Sequence, residues 1–153
     1  MSLKLHCLVI IGFLACLTAG KVGVQDDGKK DYFVVVEKQT FSGALEICKL
    51  KKNMQLAAIN NEAENTDVLS NIGTLAEDFD RKFWTSGSKT SSGWEWKSNN
   101  KTIDWFDWGS GKPDDSADDG DCILVTVNHF DKGSWLKASC DEKHFVLCET
   151  ALD

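Results

Sequence analysis

Cysteine content constrains this chain more than any other feature of its sequence. Two of the six cysteines lie within the first twenty residues, in an apolar run. The other four are spread over the rest of the chain: Cys48, Cys122, Cys140 and Cys148. None of their spacings is Cys-x-x-Cys, so in an exported domain this even number predicts two disulfides rather than a metal site. Four cysteines allow three pairings, and the pattern alone does not choose among them.

The first twenty residues have the order of a secretory signal peptide. Lys4 precedes an apolar run from Leu5 to Leu17, and small residues at 18–20 then offer a cleavage site. This run is shorter than the roughly 20 residues that span a bilayer, and an uncleaved anchor or lipidation at Cys16 are the alternatives. The expected organisation is a signal peptide at residues 1–20, an N-terminal tail at 21–30 and a folded domain at 31–151. We expect a secreted, extracellular protein with no membrane span.

Charge and chemistry exclude several classes of partner and function. Without Lys4, 16 basic residues oppose 24 acidic ones, a net charge of −8. Nucleic acid and anionic membranes repel such a protein, so we expect neither as a partner. There is no Ser/His/Asp arrangement, no histidine cluster for zinc and no pair of carboxylates singled out for glycoside hydrolysis, so we expect no enzyme. Two disulfides would use all four cysteines, so any oligomer should be non-covalent.

Residues 40–52 predict a first helix, with Thr40 or Ser42 as its N-cap. Apolar residues recur on one face of this segment at helical spacing. They are Phe41, Ala44, Leu45 and Cys48. Cys48 therefore faces inward and should pair with a cysteine that is distant in the sequence.

A second helix is predicted to begin at Asn61. Asn61 is a favourable N-cap, and Glu64 three residues later can complete a capping box with it. Apolar residues then form one stripe along the helix: Val68, Leu69, Ile72 and Leu75.

Strands are predicted before and after these helices. Tyr32–Val36 is β-branched and aromatic, and Ile123–Val127 and Phe145–Leu147 have the same character. Between them, short aromatic segments alternate with glycine, serine and asparagine. Helices followed by strands indicate an α+β fold. All six tryptophans lie in this second half and are expected in the core, the alternative being a surface on which sugars stack.

One acidic loop, Trp108–Cys122, is the candidate functional segment. It contains the chain's only proline, Pro113, and five aspartates within eight residues. Clustered oxygen ligands on a turn-rich loop suit calcium, which takes six to eight of them. The same composition is equally typical of a solvated acidic loop.

Several motifs, taken in order, resemble those of the C-type lectin-like domain family. Leu56–Ile59 with Glu64-Asn65 is similar to the family's Leu-Ala-x-Ile-x-x-x-x-Glu-Asn signature. Phe83–Gly87 occupies the position of its Trp-Ile-Gly-Leu strand without the final leucine, and Gly93–Trp96 matches Gly-x-Trp-x-Trp loosely. Further residues fall at the family's spacings: Trp108, Pro113, Cys122, Trp135, Cys140 and Cys148. The match implies an α+β C-type lectin-like fold with two helices, short antiparallel sheets, a long loop region and two disulfides.

The resemblance also implies how the cysteines pair: Cys48 with Cys148, and Cys122 with Cys140. In the chain-entropy model a loop of about 100 residues contributes roughly 4.7 kcal/mol to stability, and a loop of about 18 residues roughly 3 kcal/mol. The long bridge would tie the chain ends around the core. The short bridge would hold the half of the domain that carries the loop.

In sugar-binding members of the family, calcium is bound at a Glu-Pro-Asn or Gln-Pro-Asp tripeptide, a glutamate before a cysteine, and a Trp-Asn-Asp motif. The corresponding residues here are Lys112-Pro113-Asp114, Gly120 and Trp135-Leu136-Lys137. Asp114 alone keeps its ligand, while Lys112, Gly120, Leu136 and Lys137 depart from the pattern. An ammonium group has no lone pair to donate and repels a cation. Calcium is therefore disfavoured, and no cofactor is firmly expected.

The neighbouring calcium site of the family is similarly incomplete. Asp115 and Asp121 match it, but Ser88, Ser92 and Gly120 stand where acidic ligands would be. The remaining candidate metal ligands are Asp114, Asp115, Asp119 and Asp121. The candidate carbohydrate-binding residues are Lys112, Pro113, Asp114, Asp121, Trp135 and Lys137.

Lys112 and Lys137 suggest a hypothesis for the loop without metal. Their ammonium groups would partly replace the cation by neutralising the loop aspartates; the alternative is a mobile, merely acidic loop.

The resemblance implies a secreted protein that recognises glycans on microbial or host surfaces. The alternative is a calcium-independent module of the same fold that binds a protein or glycoprotein surface.

Asn100-Lys101-Thr102 is an N-glycosylation sequon, which predicts an exposed, glycosylated loop.

Overall fold

The computed structural model of the protein describes residues 8–10, 13–15, 29–73, 81–109, 120–127 and 133–151. Its two helices are α1 (Phe41–Lys49) and α2 (Glu62–Gly73). The strands in chain order are β1 (Leu8–Ile10), β2 (Phe13–Ala15), β3 (Tyr32–Gln39), β4 (Met54–Leu56), β5 (Arg81–Thr90), β6 (Gly93–Trp96), β7 (Lys101–Thr102), β8 (Cys122–Val127), β9 (Ser134–Ala138) and β10 (His144–Thr150). None of the helices in these ranges is long and apolar enough to cross a membrane.

Eight of the strands form one sheet, and β1 pairs separately with β2. The main order is β3-β10-β5-β6-β7, with β4 added to β10, and β8 joining β5 to β9. The first long strand, β3, thus lies against the last, β10, so the two ends of the domain meet. The predicted α+β fold with two helices is confirmed. One pairing differs from the expected antiparallel sheets, because β5 and β10 run parallel through Phe83–Trp84 and Phe145–Val146.

Helix α1 begins where the sequence predicts and ends three residues earlier. Thr40 rather than Ser42 is the N-cap, and its hydroxyl accepts a hydrogen bond from the backbone N–H of Gly43 at 3.3 Å. Leu50 is the C-cap, and Lys52, the next position of the buried face, is exposed, so the buried stripe ends at Cys48. The chain then turns at Asn53, whose φ is 60°. Cys48 faces the core as predicted, only 1% exposed.

Helix α2 confirms its predicted cap but not the predicted capping box. The side-chain oxygen of Asn61 accepts from the backbone N–H of Glu64 at 3.0 Å. The Glu64 carboxylate, however, accepts from the backbone N–H of Asn60 at 2.9 Å instead of returning to Asn61. Burial opposes ionisation of Glu64, but hydrogen bonds from Asn60 and Lys30 outweigh it and lower the pKa of this carboxyl. Val68 and Ile72 are buried as expected, while Leu75 lies outside the described residues.

Both implied disulfides are confirmed. Cys48–Cys148 links α1 to β10 at a sequence separation of 100, and Cys122–Cys140 links the start of β8 to the segment after β9 at a separation of 18. Trp84, Trp96 and Trp135 are at most 1% exposed, and the other three tryptophans pack partly buried against the core. The expectation of core tryptophans is therefore met in full by three of the six, and the other three border the core.

A buried charge network joins the start of the domain to its end. Lys30, which the sequence placed in the N-terminal tail, is only 9% exposed. Its ammonium donates to the carbonyl of Ala58 at 2.6 Å and to Glu64 at 2.9 Å. It also lies 3.2 Å from Oε2 of Glu149, close enough for an ion pair although the geometry leaves that oxygen without a hydrogen bond. Gln55 donates to the other oxygen of Glu149 at 2.9 Å.

Glu149 has no exposed surface, and this burial raises the pKa of its carboxyl even though Lys30 and Gln55 lower it. A carboxyl whose pKa is higher folded than unfolded favours folding in acid, and that contribution is lost as the pH rises through the folded-state pKa. Lys30 limits the loss, because it compensates the negative charge that Glu149 carries once ionised.

Lys30→Met is expected to destabilise the domain by about 3–5 kcal/mol, since it leaves an uncompensated buried charge. The loss should be largest near neutral pH and smaller in acid, where Glu64 and Glu149 are protonated and need no counter-ion. Urea unfolding at several pH values, followed by tryptophan fluorescence, measures both effects.

Lys29→Met is the matched control. Lys29 lies 3.3 Å from Asp67 with 58% of its side chain exposed. Exposed ion pairs of this kind contribute about 0–1 kcal/mol. Equal unfolding midpoints for the two variants would contradict the role assigned to Lys30.

Candidate functional site

The acidic loop is described at its two ends, Trp108–Gly109 and Gly120–Cys122. Residues 110–119 lie outside the described part. The proposals for Lys112, Pro113, Asp114, Asp115 and Asp119 therefore stay predictions. Five positions of the implied sugar site are described: Gly120, Asp121 and, on β9, Trp135, Leu136 and Lys137.

Both ends of the loop are attached to strand β9. On the first side, the backbone N–H of Trp135 donates to the carbonyl of Asp107 at 2.7 Å, and that of Gly109 donates to the carbonyl of Trp135 at 3.2 Å. On the second side, Cys122 pairs with Ala138 in the β8–β9 ladder and forms its disulfide with Cys140. The base of the loop is thus held by backbone hydrogen bonds and a covalent link.

Trp135 is the central core residue beneath the loop. It has no exposed surface, and its ring meets those of Trp96, Trp105, Phe106 and Trp108 at centroid distances of 5.4–6.2 Å. Its indole N–H donates to the side-chain oxygen of Asn65 at 2.9 Å. Trp135 was a candidate carbohydrate-binding residue, but a ring without exposed surface cannot stack on a sugar. Trp135 instead belongs to the core that supports the base of the loop.

Gly120 occupies the position of the family's glutamate ligand, and the backbone leaves no room for a side chain there. Its φ is +90°, a left-handed conformation that favours glycine. A Cβ on this residue would lie 2.2 Å from the carbonyl carbon and oxygen of Ala138 and 2.3 Å from the nitrogen of Ser139. The loop therefore returns to β8 by direct contact with the backbone after β9, at the expense of a ligand.

The other described positions offer one carboxylate. Asp121 is exposed, and its backbone carbonyl accepts from the N–H of Lys89 at 2.8 Å. Leu136 and Lys137 are half-buried opposite Leu124 and Ile123. Calcium requires six to eight oxygen ligands, and an apolar side chain, an ammonium group and a glycine supply none from the side chain. These residues do not fit the family's calcium ion.

At the neighbouring metal site, two of the described positions carry serines. Ser88 is buried on β5 opposite Cys122, with its hydroxyl 3.5 Å from the carbonyl of Lys89. Ser92 is exposed in the turn between β5 and β6. Within the described ranges, no three histidine, cysteine, aspartate or glutamate side chains come together as a metal group.

A second concave region, which sequence reasoning missed, lies beside α2. We call it the α2 groove: a cavity of about 580 Å³ lined by Glu62, Thr66, Leu69 and Ser70 of the helix and by Trp105 and Asp107 of the segment before the loop. Its two walls are held together by Asn65, whose side-chain N–H donates to Asp107 Oδ2 at 2.8 Å. Asn65 belongs to the Glu-Asn signature, but the sequence did not reveal its partner 42 residues away.

The sequon asparagine lies where the sequence predicts. Asn100 is exposed in the turn between β6 and β7, with φ at 58°, and its backbone N–H donates to the carbonyl of Trp96 at 2.7 Å. Lys101 and Thr102, which complete the sequon, are also exposed.

Gly120→Ala is expected to lower the free energy of unfolding more than Gly93→Ala. Both glycines have positive φ, at +90° and +120°, so both substitutions introduce backbone strain of about 1–2 kcal/mol. A Cβ at Gly93 meets nothing within 4 Å, whereas at Gly120 it overlaps the backbone of Ala138. Urea unfolding of the two variants separates the effect of this overlap from the backbone strain that both share. Equal losses of unfolding free energy would contradict the overlap at Gly120.

The chain is similar in sequence to several known proteins. The Lectin C-type domain matches residues 37–150. Salivary C-type lectin 2 of Aedes albopictus is 27% identical over 146 residues, covering 92% of each chain. The human secretory phospholipase A2 receptor is 28% identical over 134 residues, covering 80% of this chain but only 8% of the receptor.

The solved structures agree on the fold. The C-type lectin CEL-I from Cucumaria echinata superposes with a TM-score of 0.69 at 16% identity, over 84% of this chain and 95% of that one. The family is one of carbohydrate and protein recognition and not of enzymes. The chain belongs to the C-type lectin domain family.

Proposed function

We propose that this protein is a secreted recognition protein that binds glycans without the calcium ion of the family's sugar site. One observation carries the proposal: the base of the loop is held in place, while at Gly120 an added Cβ would lie only 2.2 Å from the backbone of Ala138, so no ligand side chain fits there. The relatives named lectins, in mosquito saliva and in Cucumaria echinata, favour a glycan as the ligand. Recognition would then depend on hydrogen bonds and apolar contacts from the protein itself.

Electrostatics favours glycan binding without a metal ion over glycan binding through a displaced calcium ion. Two unit charges at about 4 Å interact with roughly 4 kcal/mol at a surface-like dielectric, and calcium carries two charges. Lys137 would repel a cation at the sugar site, and Lys112 stands where the first ligand would be. We propose that these ammonium groups neutralise Asp114, Asp119 and Asp121 instead.

A glycan array probed with calcium and again with chelator tests the proposal. The expected result is a set of sugar signals whose intensities are unchanged by the chelator. Signals that disappear with chelator would restore the calcium mechanism and contradict the proposal.

A protein partner is the second candidate. It is favoured by the likeness to a phospholipase A2 receptor, whose name gives it a protein ligand. An array without signals, together with a defined protein that the domain binds in a surface plasmon resonance experiment, would favour this candidate over glycan recognition.

Secretion and glycosylation can be checked together. The native chain expressed in insect cells is expected in the medium, beginning at Lys21 and carrying a glycan on Asn100 that a peptide N-glycosidase removes. Thr102→Ala should abolish the glycan because it destroys the sequon, whereas Thr102→Ser should keep it. Intact-mass measurement of the three proteins gives the result, and an unmodified native chain in the medium would refute glycosylation.

A further inference from the structure

The α2 groove has the dimensions of a ligand site. Ligand pockets range over about 300–1,000 Å³ and combine apolar walls with a few well-placed polar groups. At about 580 Å³ the groove lies within this range. The described sugar-site positions, Gly120, Asp121, Leu136 and Lys137, do not line it.

Asp107 is fixed in place before any ligand arrives. Its backbone carbonyl accepts from Trp135 at 2.7 Å, and its Oδ2 accepts from Asn65 at 2.8 Å. Asn65 is itself 5% exposed and held by the Trp135 indole at 2.9 Å. A carboxylate oriented by buried partners loses little freedom when a ligand binds, which favours affinity.

Trp105 and Leu69 supply the apolar wall. The Trp105 ring is partly buried and stands edge-on to Trp135, at 84° with centroids 5.4 Å apart. Leu69 is also partly buried and packs closely against Gly133. A Cβ added to Gly133 would lie 2.4 Å from Cδ2 of Leu69. An oriented aromatic ring beside hydrogen-bonding groups suits a ligand with one apolar face and a polar edge.

The polar groups select among ligands of that shape. Glu62 and Asp107 are acceptors when ionised, while the Thr66 and Ser70 hydroxyls both donate and accept. No lysine, arginine or histidine is among the described residues that line the groove. The two carboxylates repel anionic sugars such as sulfated or uronic residues, whereas the hydroxyls of a neutral sugar can donate to both of them.

We propose that the α2 groove binds a neutral sugar ring, with its C–H face on Trp105 and its hydroxyls hydrogen-bonded to Asp107 and Glu62, without a metal ion. This assignment rests on the proposed glycan recognition and locates it. A lysine or arginine side chain would also meet two carboxylates and an aromatic ring, but it would leave the donor capacity of Thr66 and Ser70 unused.

The test is an NMR titration of the ¹⁵N-labelled protein in chelator with methyl α-mannoside and methyl β-galactoside. The indole N–H signal of Trp105, identified through Trp105→Phe, should shift on addition of at least one of these sugars. Asp107→Asn should weaken binding about tenfold, since a hydrogen bond to a charged acceptor is replaced by a weaker one. This variant keeps an oxygen to accept from Asn65, so the groove should stay folded.

Asp104→Asn is the matched control, because Asp104 is an exposed aspartate that lines a different cavity. It should bind the sugars as the native protein does. If Asp121→Asn and Lys137→Gln abolish sugar binding while Asp107→Asn retains it, the groove assignment is overturned and glycan recognition stands. If a lysine-rich peptide shifts the Trp105 signal and neither sugar does, the groove binds cations and the assignment is also overturned. If no glycan on the array and neither sugar binds, both proposals fail.

Discussion

The buried Trp135 joins helix α2 to the segment that precedes the acidic loop, and the rest of the structure depends on this link. Its N–H donates to Asn65 on α2 at 2.9 Å, while its backbone N–H donates to Asp107 at the start of the loop segment. A buried donor left without a partner costs about 1–3 kcal/mol, so this geometry is strongly specified. The same few hydrogen bonds therefore hold the start of the acidic loop and shape the α2 groove.

The described base of the acidic loop keeps the family's support, and we propose that the ligand chemistry above it differs from the family's. Cys122–Cys140 and the β8–β9 ladder fix the C-terminal end of the loop at Gly120–Cys122. Within that support, Gly120 is closed by the backbone of Ala138, and Lys137 stands at a ligand position. The proposed recognition without a metal ion needs other contacts to a ligand, and we propose that the α2 groove supplies them.

The sequence predicted the parts of the fold that depend on local pattern. Helix periodicity placed Cys48 inward, and the four cysteines with their resemblance gave both disulfides. The sequence could not show that Glu64 would turn from Asn61 to Asn60, because its other partner, Lys30, lies 34 residues earlier in the chain. The parallel pairing of β5 with β10 and the closure at Gly120 likewise depend on contacts between distant segments. Local pattern carries no signal for such contacts, which is why the groove was also missed.

Thermal unfolding with millimolar calcium and with chelator tests the central claim most directly. Calcium bound to the folded state at about 100 times its Kd would add about 2.7 kcal/mol of stability, which corresponds to a rise of several degrees in Tm. We predict the same Tm in both solutions, because the described positions Gly120, Leu136 and Lys137 supply no side-chain ligand. A calcium-dependent rise of several degrees would show that the loop binds the metal and would contradict this account.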